Sequence, residues 1–307
     1  MRVALLGGRG IGRVHARLFE KMNATVCAVL GSTATSAQET AAELTLALGH
    51  PVAGFSDLDL LLAQPLDAIS ICTPPTLHVE QIMAAFDAGV PVFCEKPLFW
   101  WANINLNAVD ETLSTIEAHS QRALFVNTSN TVFAQAALAR VPETLTSVVF
   151  RFHTQGRYTA RDIALDLLPH GISILLALFG ERPLSTVRHR FNDTACRSTF
   201  TYGDCSVEFD FRQKPDQAKH LSLELNGRAF TRIQQGLNDS YQAFLMAADT
   251  RQKIPIRDPF AVYIADFLDY CQDQAPRRQD AFDEAALNLR LMAQAMIRGE
   301  WAEVAAP

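Results

Sequence analysis

The first half of the chain carries its apolar residues in short unbroken runs at 2–6, 25–30, 52–55, 68–72 and 90–94. Runs of this length, bounded by glycine or proline, are what strands buried on both faces of a parallel sheet require. The stretches 13–22, 36–48, 58–63, 78–88 and 108–119 predict helices, and 123–126 predicts a closing strand. Strand and helix alternating at this spacing predict a doubly wound α/β sheet. From about Thr144 the texture changes. Segments 146–152, 185–191, 195–202, 206–212 and 221–225 alternate apolar with polar residues, the pattern of an antiparallel sheet with one wet face. Segments 259–273 and 284–297 read as two closing helices. With no internal repeat and no low-complexity linker, the change of texture sets the domains: 1–126 and 127–307.

Composition narrows the classes of function. The 307 residues, 49% of them hydrophobic, are enough for two cores. A formal net charge of -6 and a pI near 5.8 argue against a nucleic-acid surface, and no basic run suggests an anionic membrane. The amino-terminal apolar run at 3–6 is too short for a signal peptide, and no segment reads as a membrane span. Six cysteines, at 27, 72, 94, 196, 205 and 271, form no Cys-x-x-Cys pair, and three lie inside apolar runs. That is the usage of a reducing cytoplasm, with no disulfide scaffold and no metal cluster expected. A cytoplasmic protein acting on a small molecule is the expectation.

The run Gly7-Gly8-Arg9-Gly10-Ile11-Gly12 stands between the first predicted strand and helix. Glycines there let the backbone approach a pyrophosphate, whose charge is met by amides at the helix amino terminus. The pattern predicts a Rossmann dinucleotide-binding domain, although a glycine string alone is a weak signal. In the register from Gly7 to Gly12 the middle glycine is Arg9. Either the turn shifts to use Gly8 and Gly10, or a guanidinium enters the phosphate site. The second strand ends in Gly31-Ser32-Thr33 instead of the acid that an NAD-preferring ribose site carries. Ser32 and Thr33 could bond a 2'-phosphate, so NADP is favoured over NAD. Between Lys21 and Lys96 there is no Lys or Arg, which leaves Arg9 or Arg13 as the cationic partner.

Chemistry concentrates at the ends of later strands. The run at 68–72 stops in Thr73-Pro74-Pro75, and the run at 90–94 stops in Glu95-Lys96-Pro97. Open parallel sheets bind ligands at the carboxyl ends of their strands, so an acid and an amine there are placed to act. The bland alternatives are a loop with a solvated Glu-Lys pair and a His78 that only packs or caps its helix.

Taken together, the glycine turn, Thr73-Pro74-Pro75-Thr76-Leu77-His78, Ala88-Gly89 and Glu95-Lys96-Pro97 resemble the Gfo/Idh/MocA family of NAD(P)-dependent oxidoreductases. The resemblance implies that Lys96 contacts both nicotinamide and substrate hydroxyl, and that its bond to Pro97 is cis. With the residue reading above, the expected cofactor contacts are Gly7, Gly8, Arg9, Gly10, Ile11, Gly12, Ser32, Thr33, Thr73, Pro74, His78, Glu95, Lys96 and Pro97. The resemblance also implies a C-terminal α+β domain whose open, mainly antiparallel sheet joins a homodimer or homotetramer. Asp166-Leu167-Leu168-Pro169-His170 resembles the family's Asp-x-x-x-His element, which assigns His170 as general base and Asp166 as its orienter. Pro169 belongs in a first helical turn, so that helix should start near Asp166. On the residues alone, Asp166 could be only an amino-terminal cap and His170 only a packed side chain.

The chain departs from the family pattern at three places. Trp100 and Trp101 follow the lysine motif and are read first as packing, with a stacking pocket as the alternative. Asn127-Thr128-Ser129-Asn130 stands where many members have an arginine. Arg157 and Arg161 precede Asp166 and hint at an anionic substrate. The leading reading is a dehydrogenase that moves hydride to or from a carbinol carbon of a sugar, cyclitol or nucleotide sugar. The alternatives are a reductase of a C=N or conjugated double bond in natural-product or pigment metabolism, and a non-catalytic dinucleotide sensor.

Overall fold

The computed structural model describes residues 1–119, 124–128, 130–141, 143–236, 241–272 and 279–305. The predicted positions Ala123, Ser129 and Asp273 lie outside these. The chain divides into two compact units, Met1–Asn127 with Phe260–Ala286, and Thr128–Pro259 with Leu287–Pro307.

In the first unit strands and helices alternate: β1 (Arg2–Leu6), α1 (Ile11–Lys21), β2 (Thr25–Leu30), α2 (Ala34–Leu48), β3 (Ala53–Phe55), α3 (Leu58–Leu62), β4 (Ala68–Ile71), α4 (His78–Asp87), β5 (Val92–Glu95), α5 (Leu106–His119) and β6 (Leu124–Asn127). The strands form one parallel sheet in the order β3-β2-β1-β4-β5-β6. Val3, Leu5, Ile69 and Phe93 are fully buried, which is why these strands read as unbroken apolar runs. The order reverses between β1 and β4, and the loops after those strands therefore open on a crevice at the carboxyl edge of the sheet.

The elements that follow are α6 (Thr131–Leu138), β7 (Ser147–Thr154), α7 (Asp162–Phe179), β8 (Arg188–Asn192), β9 (Ala195–Tyr202), β10 (Cys205–Gln213), β11 (His220–Leu225), β12 (Arg228–Gln235), β13 (Gln242–Ala247), β14 (Lys253–Ile256), α8 (Pro259–Cys271), α9 (Gln279–Arg298) and β15 (Glu300–Glu303). The strands of the second unit make a nine-stranded sheet ordered β14-β13-β12-β11-β7-β10-β9-β8-β15. It is mainly antiparallel, with β7–β10 and β8–β15 parallel. On β10, Val207, Phe209 and Phe211 are buried, while Ser206 and Arg212 face water. α7 passes the length and composition test for a membrane span, and 67% of that segment is buried.

Two features differ from the sequence reading. The first unit takes back Phe260–Ala286, which the pattern had assigned to a continuous second domain. Phe267 of α8 packs against Phe93 at 5.4 Å and Phe125 at 5.5 Å between ring centroids, so a distant segment completes the core under β5 and β6. The second feature is α7, which starts at Asp162 and not near Asp166, with Pro169 in its interior. Ile163, Ala164 and Leu167 are buried, and that burial outweighs the one backbone bond a proline removes. The elements α6, β12, β13, β14 and β15 were not predicted as such.

Candidate active site

The glycine turn keeps the register from Gly7 to Gly12. A Cβ on Gly12 would lie 2.1 Å from the Gly7 carbonyl oxygen, so only glycine allows this approach. Gly10 caps α1 at φ 55°, with no side-chain cap and no acid in the first turn. The positive end of α1 is thus dressed for an anion. Arg9 turns away from the middle of the register, its Nη2 3.0 Å from Glu39 of α2, and Arg13 pairs with Glu43 one turn further along the same helix. Both pairs are largely exposed. Of the two hydroxyls at the end of β2, Thr33 forms a capping box with Ser36 at the start of α2, and Ser32 is exposed.

Beneath this turn the ends of β4, β5 and β6 hold a buried polar cluster. Glu95 Oε1 lies 3.0 Å from His15 Nε2 and accepts from Asn127 Nδ2 at 2.6 Å. His15 Nδ1 lies 2.9 Å from Ser70 Oγ and 3.2 Å from Cys72 Sγ. Burial alone would strip the proton from His15, but the Cys72 sulfur and the Glu95 carboxylate outweigh it and raise the imidazole to about 10. Burial likewise opposes the Glu95 charge, yet His15, Lys96 and the Asn127 amide hold its pKa below the usual carboxylate value. The pair is an imidazolium and a carboxylate at neutral pH.

Lys96 follows directly, half-buried, and its peptide bond to Pro97 is cis. His78 is fully buried. Its Nε2 lies 2.8 Å from the Thr73 carbonyl oxygen, and its Nδ1 lies 3.2 Å and 3.1 Å from those of Pro97 and Leu98. It ties the loop after β4, with Pro74, to the loop after β5. Burial pulls its pKa down, against the carbonyl contacts. The aromatic stretch beyond packs as expected: Phe99 is fully buried and stacks on Trp101 at 5.4 Å.

In the second unit, Asp166 and His170 stand one turn apart on α7. His170 is 8% exposed, and its Nδ1 lies 3.0 Å from the Thr128 carbonyl oxygen. A carbonyl only accepts, so Nδ1 carries the proton and a neutral imidazole keeps its lone pair on Nε2. The Phe152 ring meets His170 edge-on at 5.3 Å, fixing its tilt. The Asp166 carboxylate accepts from Gln213 Nε2 of β10. Arg161, one of the two arginines that hinted at an anion, lies over the rings of Phe191 and Trp301 at 5.3 and 5.0 Å.

Four partners in these sites escaped the sequence reading: His15, Asn127, the Thr128 carbonyl and Gln213. Only His15 left a usable signal, as a polar residue on the stripe Gly12, His15, Ala16 and Phe19 that α1 buries.

The comparisons agree with this architecture. The family model of Gfo/Idh/MocA, described as an oxidoreductase family with an NAD-binding Rossmann fold, matches residues 1–128. The chain thus carries the NAD-binding domain of that oxidoreductase family. Among curated relatives, inositol 2-dehydrogenase of Rhodococcus erythropolis is 33% identical over 110 residues, 36% of this chain and 31% of its own length. The chain matches only about a third of the length of such inositol dehydrogenases. UDP-N-acetylglucosamine 3-dehydrogenase of Acidithiobacillus ferrooxidans is 24% identical over 97% of this chain and 99% of its own. The fold of the whole chain is similar to KijD10, a 3-ketoreductase from Actinomadura kijaniata solved with TDP-benzene and NADP. The TM-score is 0.75 at 16% identity, covering 99% of both chains.

The turn and the strand ends fit a dinucleotide. The open amino terminus of α1 suits the pyrophosphate. Asn127 Oδ1 is buried with no partner among the described residues, an orphan acceptor at the carboxyl edge of the sheet.

Proposed function

We propose that the protein is an NAD(P)-dependent oxidoreductase that transfers hydride between nicotinamide carbon 4 and a carbinol carbon of a sugar, cyclitol or nucleotide sugar. The observation that carries the reading is Lys96, set at the end of β5 by a buried ion pair within a family-matched nucleotide domain. The substrates named for the similar inositol and UDP-N-acetylglucosamine dehydrogenases support the class.

The bound nicotinamide supplies the hydride acceptor or donor. Gly8, Gly10 and Ile11 present backbone to the pyrophosphate at the amino end of α1, and the loops of Thr73, Pro74 and Pro97 border the same edge. His170 takes the hydroxyl proton on Nε2 as hydride leaves, because its Nδ1–H is engaged by Thr128. Lys96 donates to the developing alkoxide. Asp166, held by Gln213, stabilises the imidazolium that forms. We favour NADP because β2 ends without an acid.

We further place the protein in a reducing cytoplasm, on its six free cysteines, and read it as a homodimer or homotetramer through the outer face of the large sheet. The charges on that face are paired across strands, as in Arg151 with Glu224 and Arg197 with Glu208, which suits a face that another copy covers. The reaction is tested by absorbance at 340 nm with both cofactors against sugars, cyclitols, nucleotide sugars and cyclic imines. Turnover of a polyol or nucleotide sugar is expected; turnover of imines alone would overturn the carbinol assignment.

A further inference from the structure

Arg232 sits on β12 between Thr231 and Ile233, pointing to the opposite face of the sheet from them. Burial pulls its pKa below the ordinary arginine value, against the charges of Tyr241 and Asp258. A guanidinium has five N–H donors. Among the described residues, the hydrogen bond Arg232 makes through its side chain runs from Nη1 to Asn130 Oδ1 at 3.2 Å.

Asn130 is equally under-used. It is the amino-terminal cap of α6, yet its side chain makes no capping bond, and it is 1% exposed. Its Nδ2 is buried with no partner among the described residues. Because a guanidinium only donates, the amide oxygen must face Arg232 and the NH2 group must face away from that bond. The other guanidinium N–H groups and the Asn130 NH2 thus stand together with no acceptor among the described residues. Buried donors left in this state are costly, by roughly 1–3 kcal/mol each, and a polar ligand relieves that cost.

Their place in the unit indicates which ligand. The Asn130 backbone N–H donates to the Thr128 carbonyl oxygen at 2.9 Å, the same oxygen that holds His170 Nδ1 at 3.0 Å. Arg232, Asn130, Thr128 and His170 form one connected series. Arg161, at the amino-terminal cap of α7, is already engaged with two aromatic rings.

We propose that Arg232 and Asn130 form a subsite that binds a carboxylate of the substrate next to His170, an assignment that rests on the dehydrogenase reading above. A carboxylate is the match because it is planar like the guanidinium and only accepts. Its two oxygens can also take a guanidinium N–H and the Asn130 NH2 together. A phosphate dianion would leave a net charge in a site that burial already penalises.

The test is calorimetric titration of the NADPH-saturated enzyme with D-glucuronate and with D-glucose, a pair in which only the carboxylate differs. NADPH makes a dead-end complex with either, so binding is read without turnover. Wild type is expected to bind glucuronate at least about 10-fold more tightly than glucose, as a charge-assisted contact of about 1.5 kcal/mol or more requires. Arg232→Met is expected to bring the two within about 2-fold, with glucose affinity unchanged. Asn130→Asp, which sets a carboxylate of nearly the same shape against Arg232, is expected to do the same and serves if Arg232→Met fails to fold. Equal affinities in wild type, or a preference that survives in a folded variant, would overturn the subsite. A failure of the dehydrogenase reading shows separately, as absence of turnover at 340 nm with every carbinol.

Discussion

Glu95 of the first unit and His170 of the second are both buried, and they are held by different means. Around Glu95 the restraint is charge: a protonated His15 at 3.0 Å, Lys96 as its neighbour in the chain, and an amide at 2.6 Å. Around His170 the restraint recorded at Nδ1 is a neutral carbonyl, and the Asp166 carboxylate is met by a neutral amide. The ionic set holds His15 and Glu95 charged at neutral pH, whereas the Thr128 carbonyl holds His170 with its proton on Nδ1.

The largest effect should come from breaking the ionic set. Glu95→Gln leaves His15 buried without its carboxylate and is expected to destabilise the protein by about 3–5 kcal/mol, read by denaturant unfolding at pH 6. The pH dependence follows from the two shifts. His15 is raised from 6.5 to about 10, so its contribution is complete below pH 6.5 and is lost as pH rises through about 10. Glu95 is lowered from 4.5, so its contribution is present above pH 4.5 and is lost on acidification. The stability gap between wild type and Glu95→Gln should therefore be widest from about pH 4.5 to 6.5, narrow on acidification, and narrow on the alkaline side only by the share of the His15 shift that Glu95 supplies, Cys72 supplying the larger share. A gap that stays constant from pH 4 to 10 would mean that the pair is not ionic.

Removing the groups that act on the reacting atoms should be next in size. Lys96→Met and His170→Ala are each expected to lower kcat by roughly 100-fold or more while changing cofactor Kd far less. His170→Ala should leave the pH profile of stability set by His15 and Glu95 untouched, which separates the two kinds of restraint. Wild-type turnover in both variants would remove these residues from the mechanism.

The smallest effect is expected at the exposed pairs. Arg9 must leave Glu39 before it can meet a 2'-phosphate, and exposed pairs of this kind are worth roughly 0.2–1 kcal/mol. Arg9→Ala should then weaken NADPH by about 3- to 10-fold and NADH hardly at all, measured by fluorescence titration. Equal weakening of both cofactors would place Arg9 on the pyrophosphate instead.

Sequence pattern was most informative where burial is two-sided. β1 and β2 are bounded as the apolar runs at 2–6 and 25–30 indicate, because a parallel strand covered on both faces admits almost no polar residue. β12 was illegible for the opposite reason: Arg228, Thr231, Arg232, Gln234 and Gln235 break its alternation, and the strand is defined by its neighbours β11 and β13. The start of α7 was misplaced because Pro169 has a strong local preference that tertiary burial of Ile163 and Ala164 overrides. At the candidate site, Glu95, Lys96 and His170 stand out in the sequence by the order and spacing that carry the family resemblance. Their partners were not, since a backbone carbonyl at Thr128 or an amide at Gln213 has no signature in one dimension.

The return of α8 to the first unit also bears on how the protein is made. Phe93 and Phe125 emerge from the ribosome well over a hundred residues before Phe267, the ring that lies against both. Until then the nascent nucleotide domain exposes the underside of β5 and β6, and it can close its core only after Thr128–Pro259 of the second unit has been synthesised. At roughly 5–20 residues per second that interval lasts on the order of ten seconds, long enough for a chaperone to engage the open sheet.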